Sequence, residues 1–192
     1  MSESKDKMTR AAIKLLRQSG LSGAGINQVI AESGAPKGSL YYYFPRGKSD
    51  LVETALQSFG AAVRENFASS VGRAGPAADK LERLFEAAAG RMQEASYSQG
   101  CAVAAVVLDL DEEATAFAST CREIFHGWQQ AIAAGLGDID ARDRDRFAQF
   151  VIAALEGALI LSRAERSTEP LMNVGRMLGQ FASLKRRKPR RK

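Results

Sequence analysis

Between Ile26 and Leu51 the chain reads INQVIAESGAPKGSLYYYFPRGKSDL, and few folds can hold such a stretch. Ile26, Val29 and Ile30 fall on one helical face, leaving Asn27 and Gln28 outside. Gly34 suits the left-handed conformation that ends a helix. Pro36 suits the first turn of the next one, where its missing N–H is no loss. Leu40 and Phe44, one turn apart, anchor that second helix to a core. Lys37, Gly38, Ser39, Tyr41, Tyr42 and Tyr43 remain largely on its other faces. A short helix that shows small, basic and hydroxyl-bearing groups faces something polar and anionic. Two such helices about a glycine turn predict a helix-turn-helix aimed at DNA.

Helical spacing continues on both sides. Ser4 to Ser19 reads as a first helix, with Met8, Ala12, Leu15 and Leu16 on one face and Gly20 as its stop. After Pro45-Arg46-Gly47, Lys48 opens a helix in which Val52, Leu56, Phe59, Val63 and Phe67 keep the period. Gly72 to Pro76 breaks it. Leu81, Leu84, Phe85, Ala88 and Met92 then mark a helix ending near Tyr97. CAVAAVVLDL suits a buried strand by composition, but with helices on both sides it is read as helix. DEEATAFAS puts acids at a helix start, where the macrodipole favours them, and that helix runs to about Leu136. Ala141 to Arg166 turns apolar on nearly every side, as expected of a helix that is buried or shared with another chain. Leu171 to Leu184 is the last. The expected architecture is all-α, about nine helices, with a three-helix DNA-binding domain over 1–50, a helical effector-binding and dimerisation bundle over 51–184, and a disordered basic tail, KRRKPRRK, over 185–192.

Charge supports the division. The net charge is +5, yet residues 1–50 carry eight Lys/Arg against four Asp/Glu, and the last eight residues carry seven basic groups and no acid. The body between them therefore holds 12 basic and 18 acidic residues of the chain's 27 and 22, or −6. Positive ends on a negative body put the electrostatic footprint where the helix-turn-helix lies. The 45% hydrophobic and 26% charged content is that of a globular protein, and no apolar run approaches the roughly 18 residues a membrane helix needs. The charged MSESKDKMTR shows no secretory signal, so a cytoplasmic protein is expected. Cys101 and Cys121 have no metal spacing and read as two reduced, buried thiols.

The run GAPKGSLYYYFPRGKSDLVETAL resembles the N-terminal domain of TetR-family transcriptional regulators, whose recognition helix has the form small-K-G-S/T-L-Y-x-Y/H-F. GCAVAAVVLDL and EGALILSRAERSTEPL are similar to its LmrA/YxaF-like branch. The resemblance implies that Lys37, Gly38 and Ser39 meet base edges in the major groove, Gly38 by letting the backbone come close. It implies that Tyr41, Tyr42 and Tyr43 offer hydroxyls to phosphates and rings to thymine methyls, with Tyr41 or Tyr43 partly packed and Tyr42 the surest contact. Lys48 would pair with a phosphate beside a helix N-terminus, and Asn27 joins the contact set. Two positions depart from the family pattern. Gly25 stands where Thr or Ser caps the first of the two helices, with Ser22 or Asn27 expected to compensate, and Pro36 stands where Ser is commonest.

The same resemblance implies a homodimer through residues 141–184, a palindromic double-stranded DNA operator, and release by a small-molecule effector. Pocket candidates are Phe85, Met92, Cys101, Cys121, Phe125, His126, Trp128, Phe147, Phe150 and Glu156; for all but Glu156 an ordinary core position is the favoured reading, because such stripes occur in every bundle. Glu156, a carboxylate in an apolar run, pairs with Arg122 or Arg163, or faces a cavity or the dimer seam. Neither a metal nor a cofactor is implied. The lone His126 has no nucleophile or carboxylate at a recognisable spacing, which argues against an enzyme. Two alternatives remain: a non-specific nucleic-acid binder driven by KRRKPRRK, and a transcriptional activator.

Overall fold

The computed structural model describes residues 3–110 and 114–185, and every regular element among them is helical. In chain order these are α1 (Glu3–Gly23), α2 (Ile26–Ser33), α3 (Lys37–Tyr43), α4 (Lys48–Gly72), α5 (Ala77–Glu94), α6 (Ala102–Leu108), a 3-10 turn (Ala114–Phe117), α7 (Ala118–Gly135), α8 (Ala141–Glu165) and α9 (Glu169–Leu184). The run 102–108 is thus helix, not strand. Acids 111–113 and tail residues 186–192 lie outside the described residues.

The helices form two compact units that interleave along the chain, Met1–Ala62 with Gln99–Phe125 and Val63–Ser98 with His126–Lys192. In the first, Met8, Ala12 and Leu16 of α1, Val29 of α2, Leu40 and Phe44 around α3, and Leu51, Val52 and Leu56 of α4 make a sealed core. Val103 and Val106 of α6 are buried as well. Leu15, expected on the buried face of α1, is only half-buried. Gly20 interrupts α1 at φ 65°, ψ −158°, a conformation in which any Cβ is strained. The expected stop is therefore real, and one more helical turn follows it.

The second unit is built around α5 and α9. Gly175 lets them approach so closely that a Cβ there would stand 2.7 Å from the Cβ of Phe85. Trp128 packs edge-on against Phe67 at 5.8 Å. Side chains satisfy the helix ends, as buried termini require. Asp138 accepts the Ala77 N–H at 2.9 Å, Lys80 donates to the Gly135 carbonyl at 2.8 Å, and Asp140 caps α8 through the Arg142 N–H at 3.0 Å. Arg166 ends α8 in the left-handed conformation.

Helix α8 corrects the sequence reading of apolar runs. Its 25 residues include an 18-residue window of mean hydropathy 1.5, long and apolar enough by composition to cross a membrane. Glu156 and Arg163 interrupt the run, so no unbroken apolar stretch of that length exists in it. Val151, Ile152, Leu155 and Ala158 are buried within the unit, while Phe150, Ile160 and Leu161 are exposed.

Candidate DNA-binding surface

Three short-range devices shape the helix-turn-helix. The first replaces the missing cap of α2. Gly25 has no side chain to offer, and its own N–H is accepted by Oε1 of Gln28 at 2.9 Å. This is the half of a capping box that the third helical residue supplies. Ser22 donates instead to Ser19 at 3.1 Å and Asn27 is exposed, so neither compensates as expected. The second device ends α2. Gly34 sits at φ 62°, its N–H bonded to the Ile30 carbonyl at 3.1 Å, and the Ser33 hydroxyl accepts the Ala35 N–H at 3.2 Å. The third starts α3. Pro36 is its N-cap, at φ −60° and ψ 132°, one residue earlier than the first-turn position expected of it.

Helix α3 and its C-cap, Phe44, then present a sealed side and an open one. Leu40 and Phe44 are 0% and 1% exposed and fix the helix to the core, while Tyr42 is 79% exposed and Tyr41 57%. Lys37 and Gly38 are exposed, and a Cβ added at Gly38 would meet nothing within 4 Å. Ser39 is half-buried. Tyr43 is half-buried too, its ring edge-on to Tyr42 at 4.9 Å between centroids. The outward face is therefore a lysine, a bare backbone and phenols, groups that donate to phosphate oxygens and lie against bases.

The turn after α3 handles its cations differently. Arg46 is bound within the chain: its backbone N–H donates to Asp50 at 2.7 Å, Nε to the same carboxylate, and Nη2 to Glu53 at 3.1 Å. The Arg46 backbone N–H, with the guanidinium beside it, holds the Asp50 carboxyl below the usual carboxylate range. Lys48 is exposed at the start of α4, and its ammonium donates to the Leu21 carbonyl at 2.8 Å. Two of its three N–H bonds remain for another acceptor. Lys14 of α1 is engaged with Glu32 of α2 at 2.6 Å.

The pocket candidates fall in both compact units. Phe85, Met92 and Trp128 are buried in the second unit, with Phe147 buried, Glu156 half-buried, and Phe150 and His126 exposed. Cys101, Cys121 and Phe125 belong to the first unit. Cys101 accepts the Ala104 N–H at 3.5 Å as the N-cap of α6, and burial pushes the Cys121 thiol up to about 11. Phe147 and Phe150 share a groove, about 210 Å³ and open to solvent, with Phe181, Asp143 and Lys185.

Comparison with known proteins fits this geometry. Residues 9–55 match the family model of bacterial regulatory proteins of the tetR family, and residues 77–177 match that of the LmrA/YxaF-like transcriptional regulator C-terminal domain. The chain belongs to the TetR family. It is 27% identical over 174 residues to the HTH-type transcriptional regulator LmrA of Bacillus subtilis, covering 90% of this chain and 93% of that one. Among solved structures, a regulatory protein TetR from Rhodobacter sphaeroides superposes with a TM-score of 0.83 at 22% identity, over 93% of this chain and 98% of that one. The TetR-family regulator CifR, solved with a 26-base-pair double-strand operator, superposes at 0.79 and 18% identity over 91% and 94%. TetR-family proteins are transcriptional regulators that bind double-stranded DNA, not enzymes.

Proposed function

We propose that this TetR-family chain is a homodimeric, cytoplasmic repressor that leaves a palindromic operator when a small-molecule effector binds the helical part over 51–184. Within the DNA-binding part over 1–50, Lys37, Gly38, Ser39, Tyr41, Tyr42 and Tyr43 read the major groove, and Asn27 and Lys48 hold the backbone. The observation that carries this reading is the split of α3: Leu40 wholly sealed, and two residues on, Tyr42 at 79% exposure. A helix so firmly anchored holds that phenol out in solvent, with the edge of the Tyr43 ring beside it.

The dimer reading rests on α8 and α9. Phe150, Ile160, Leu161, Met177, Phe181 and Leu184 are large apolar side chains exposed within residues 141–184, more than scattered surface residues account for. Exposed Ala153 and Gly157 leave room for a second helix to come close. A two-fold axis there sets two readers about 34 Å apart, one turn of DNA. The effector needs only to favour one spacing of the readers over the other.

The test is selection of bound duplexes from random DNA by the full chain, followed by footprinting. A two-fold symmetric site, lost with Lys37→Ala and Tyr42→Ala, is the expected result. An asymmetric or sequence-indifferent outcome overturns the reading.

A further inference from the structure

We propose that Asp109 is a positioning residue for DNA binding: through the backbone of Leu21 it fixes the place of Lys48 beside the reader helix. This rests on the phosphate-facing role given to Lys48 above.

Two charged side chains meet on one residue. Oδ2 of Asp109, the residue that follows α6, accepts the Leu21 N–H at 2.7 Å. The carbonyl of the same Leu21 accepts from Nζ of Lys48, the first residue of α4, at 2.8 Å. Both bonds are charge-assisted, roughly twice the strength of neutral ones. Leu21 is only 9% exposed, while Asp109 and Lys48 both reach it from the surface.

The opposite end of α6 grips the same stretch of α1. The Gly100 N–H donates to the Arg17 carbonyl at 2.8 Å, and Nε of Arg17 donates to the Gly100 carbonyl at 2.9 Å. Seven helical residues thus separate two grips on the end of α1, and Leu21 cannot drift without breaking one of them. A lysine on a four-carbon stem is otherwise free to wander, and ordering it at a phosphate would cost affinity. The Leu21 carbonyl removes that freedom beforehand, and Asp109 removes the freedom of Leu21. Asp109 lies in the stretch that matches the C-terminal family domain, yet it packs in the compact unit that holds the reader. Whatever moves residues 99–110 therefore moves the anchor of Lys48.

The test uses the full chain and a fluorescent duplex selected from random DNA by the unaltered protein. Affinity is measured against salt for Asp109→Ala, Asp109→Asn, Lys48→Ala and the Asp109→Ala/Lys48→Ala double variant. Asp109→Ala is expected to weaken binding roughly tenfold, the scale of one charge-assisted bond removed. Its plot of log affinity against log salt should be shallower by about one phosphate, as for Lys48→Ala. The double variant should bind no worse than Lys48→Ala, and Asp109→Asn, which keeps a carbonyl acceptor, should recover most of the loss. An Asp109→Ala protein with an unchanged salt slope, or losses that add in the double variant, overturns the proposal. A merely structural role would lower the melting temperature and leave the slope alone. If Asp109→Ala does not fold, Asp109→Glu carries the test, since it keeps the charge and displaces the carboxylate; an unchanged slope there again overturns the idea. A chain that selects no duplex removes the role of Lys48, and that of Asp109 with it, whereas a normal selection with an unchanged Asp109 slope removes only the latter.

Discussion

Oδ2 of Asp109 lies 2.1 Å from where a Cβ on Gly20 would stand. The two residues fit only because one of them has no side chain. Gly20 also holds φ at 65°, so substitution there is opposed twice, by backbone strain and by collision with a carboxylate. Gly20→Ala is expected to cost about 1–3 kcal/mol and to lower the thermal midpoint. In an Asp109→Ala background, which has already lost the bond to Leu21, the collision is gone but the strain is not, so adding Gly20→Ala there should still cost about 1–3 kcal/mol. Melting curves of the single and double variants check this.

Leu40 and Tyr42 should separate stability from binding. Leu40→Ala empties a fully sealed position and should cost about 2–5 kcal/mol of folding stability. Tyr42→Ala should leave the melting temperature nearly unchanged and weaken binding to a selected duplex. Equal thermal losses in the two would contradict the assignment of α3 faces.

Acidification should loosen the entry to α4. The Asp50 carboxyl is held below its ordinary range in the folded chain, so its contribution to stability is complete above the pH where a free aspartate ionises, about 4. The contribution fades as pH falls further, through the lower folded value. The stability gap between the natural chain and Asp50→Asn should therefore be constant near neutrality and close only in acid, as denaturant titrations at stepped pH will show.

A charge placed on the exposed apolar stripe should divide the proposed dimer. Ile160→Glu and Leu161→Arg both alter exposed side chains on α8, so the monomer should stay folded. Sedimentation is expected to show the halved mass, and duplex binding should fall steeply with it.

Removal of residues 186–192 should cost affinity without costing specificity. Six of those seven residues are basic. Each phosphate that the tail no longer neutralises reduces the salt slope by about 0.9. Lys185 stays in place in that truncation, paired with Asp143 at 3.1 Å. Loss of sequence preference with the tail would shift the reading to a non-specific binder.

What the sequence shows of this molecule is what lies within a few residues. The period of Ile26, Val29 and Ile30, the glycine stop and the buried pair Leu40 and Phe44 were all readable, because helix geometry ties them together locally. The Gln28 bond to Gly25 is legible too, since a glutamine at the third helical position is a known capping partner. Asp109 had no such signal. Its bond to Leu21 spans 88 residues, and nothing in the composition of either segment announces it. The exposure of the individual pocket candidates was illegible for a related reason. Apolar spacing says that Phe85 and Phe150 each face something apolar, but not which side of an all-round apolar helix the chain itself covers. Phe85 meets Gly175, whereas Phe150 is 52% exposed.

Under the proposed reading, the edge-on packing of Tyr43 against Tyr42 bears on the cost of trying each DNA site. A lone phenol 79% exposed would sample several rotamers and have to be stilled at each trial site, at about 0.5–1.5 kcal/mol for such a side chain. With its neighbour's ring 4.9 Å away, part of that ordering is complete before DNA arrives. With Tyr42 as the proposed reader, each stretch of duplex would be met by a fingertip partly set in advance, so that less binding energy is lost in stilling it.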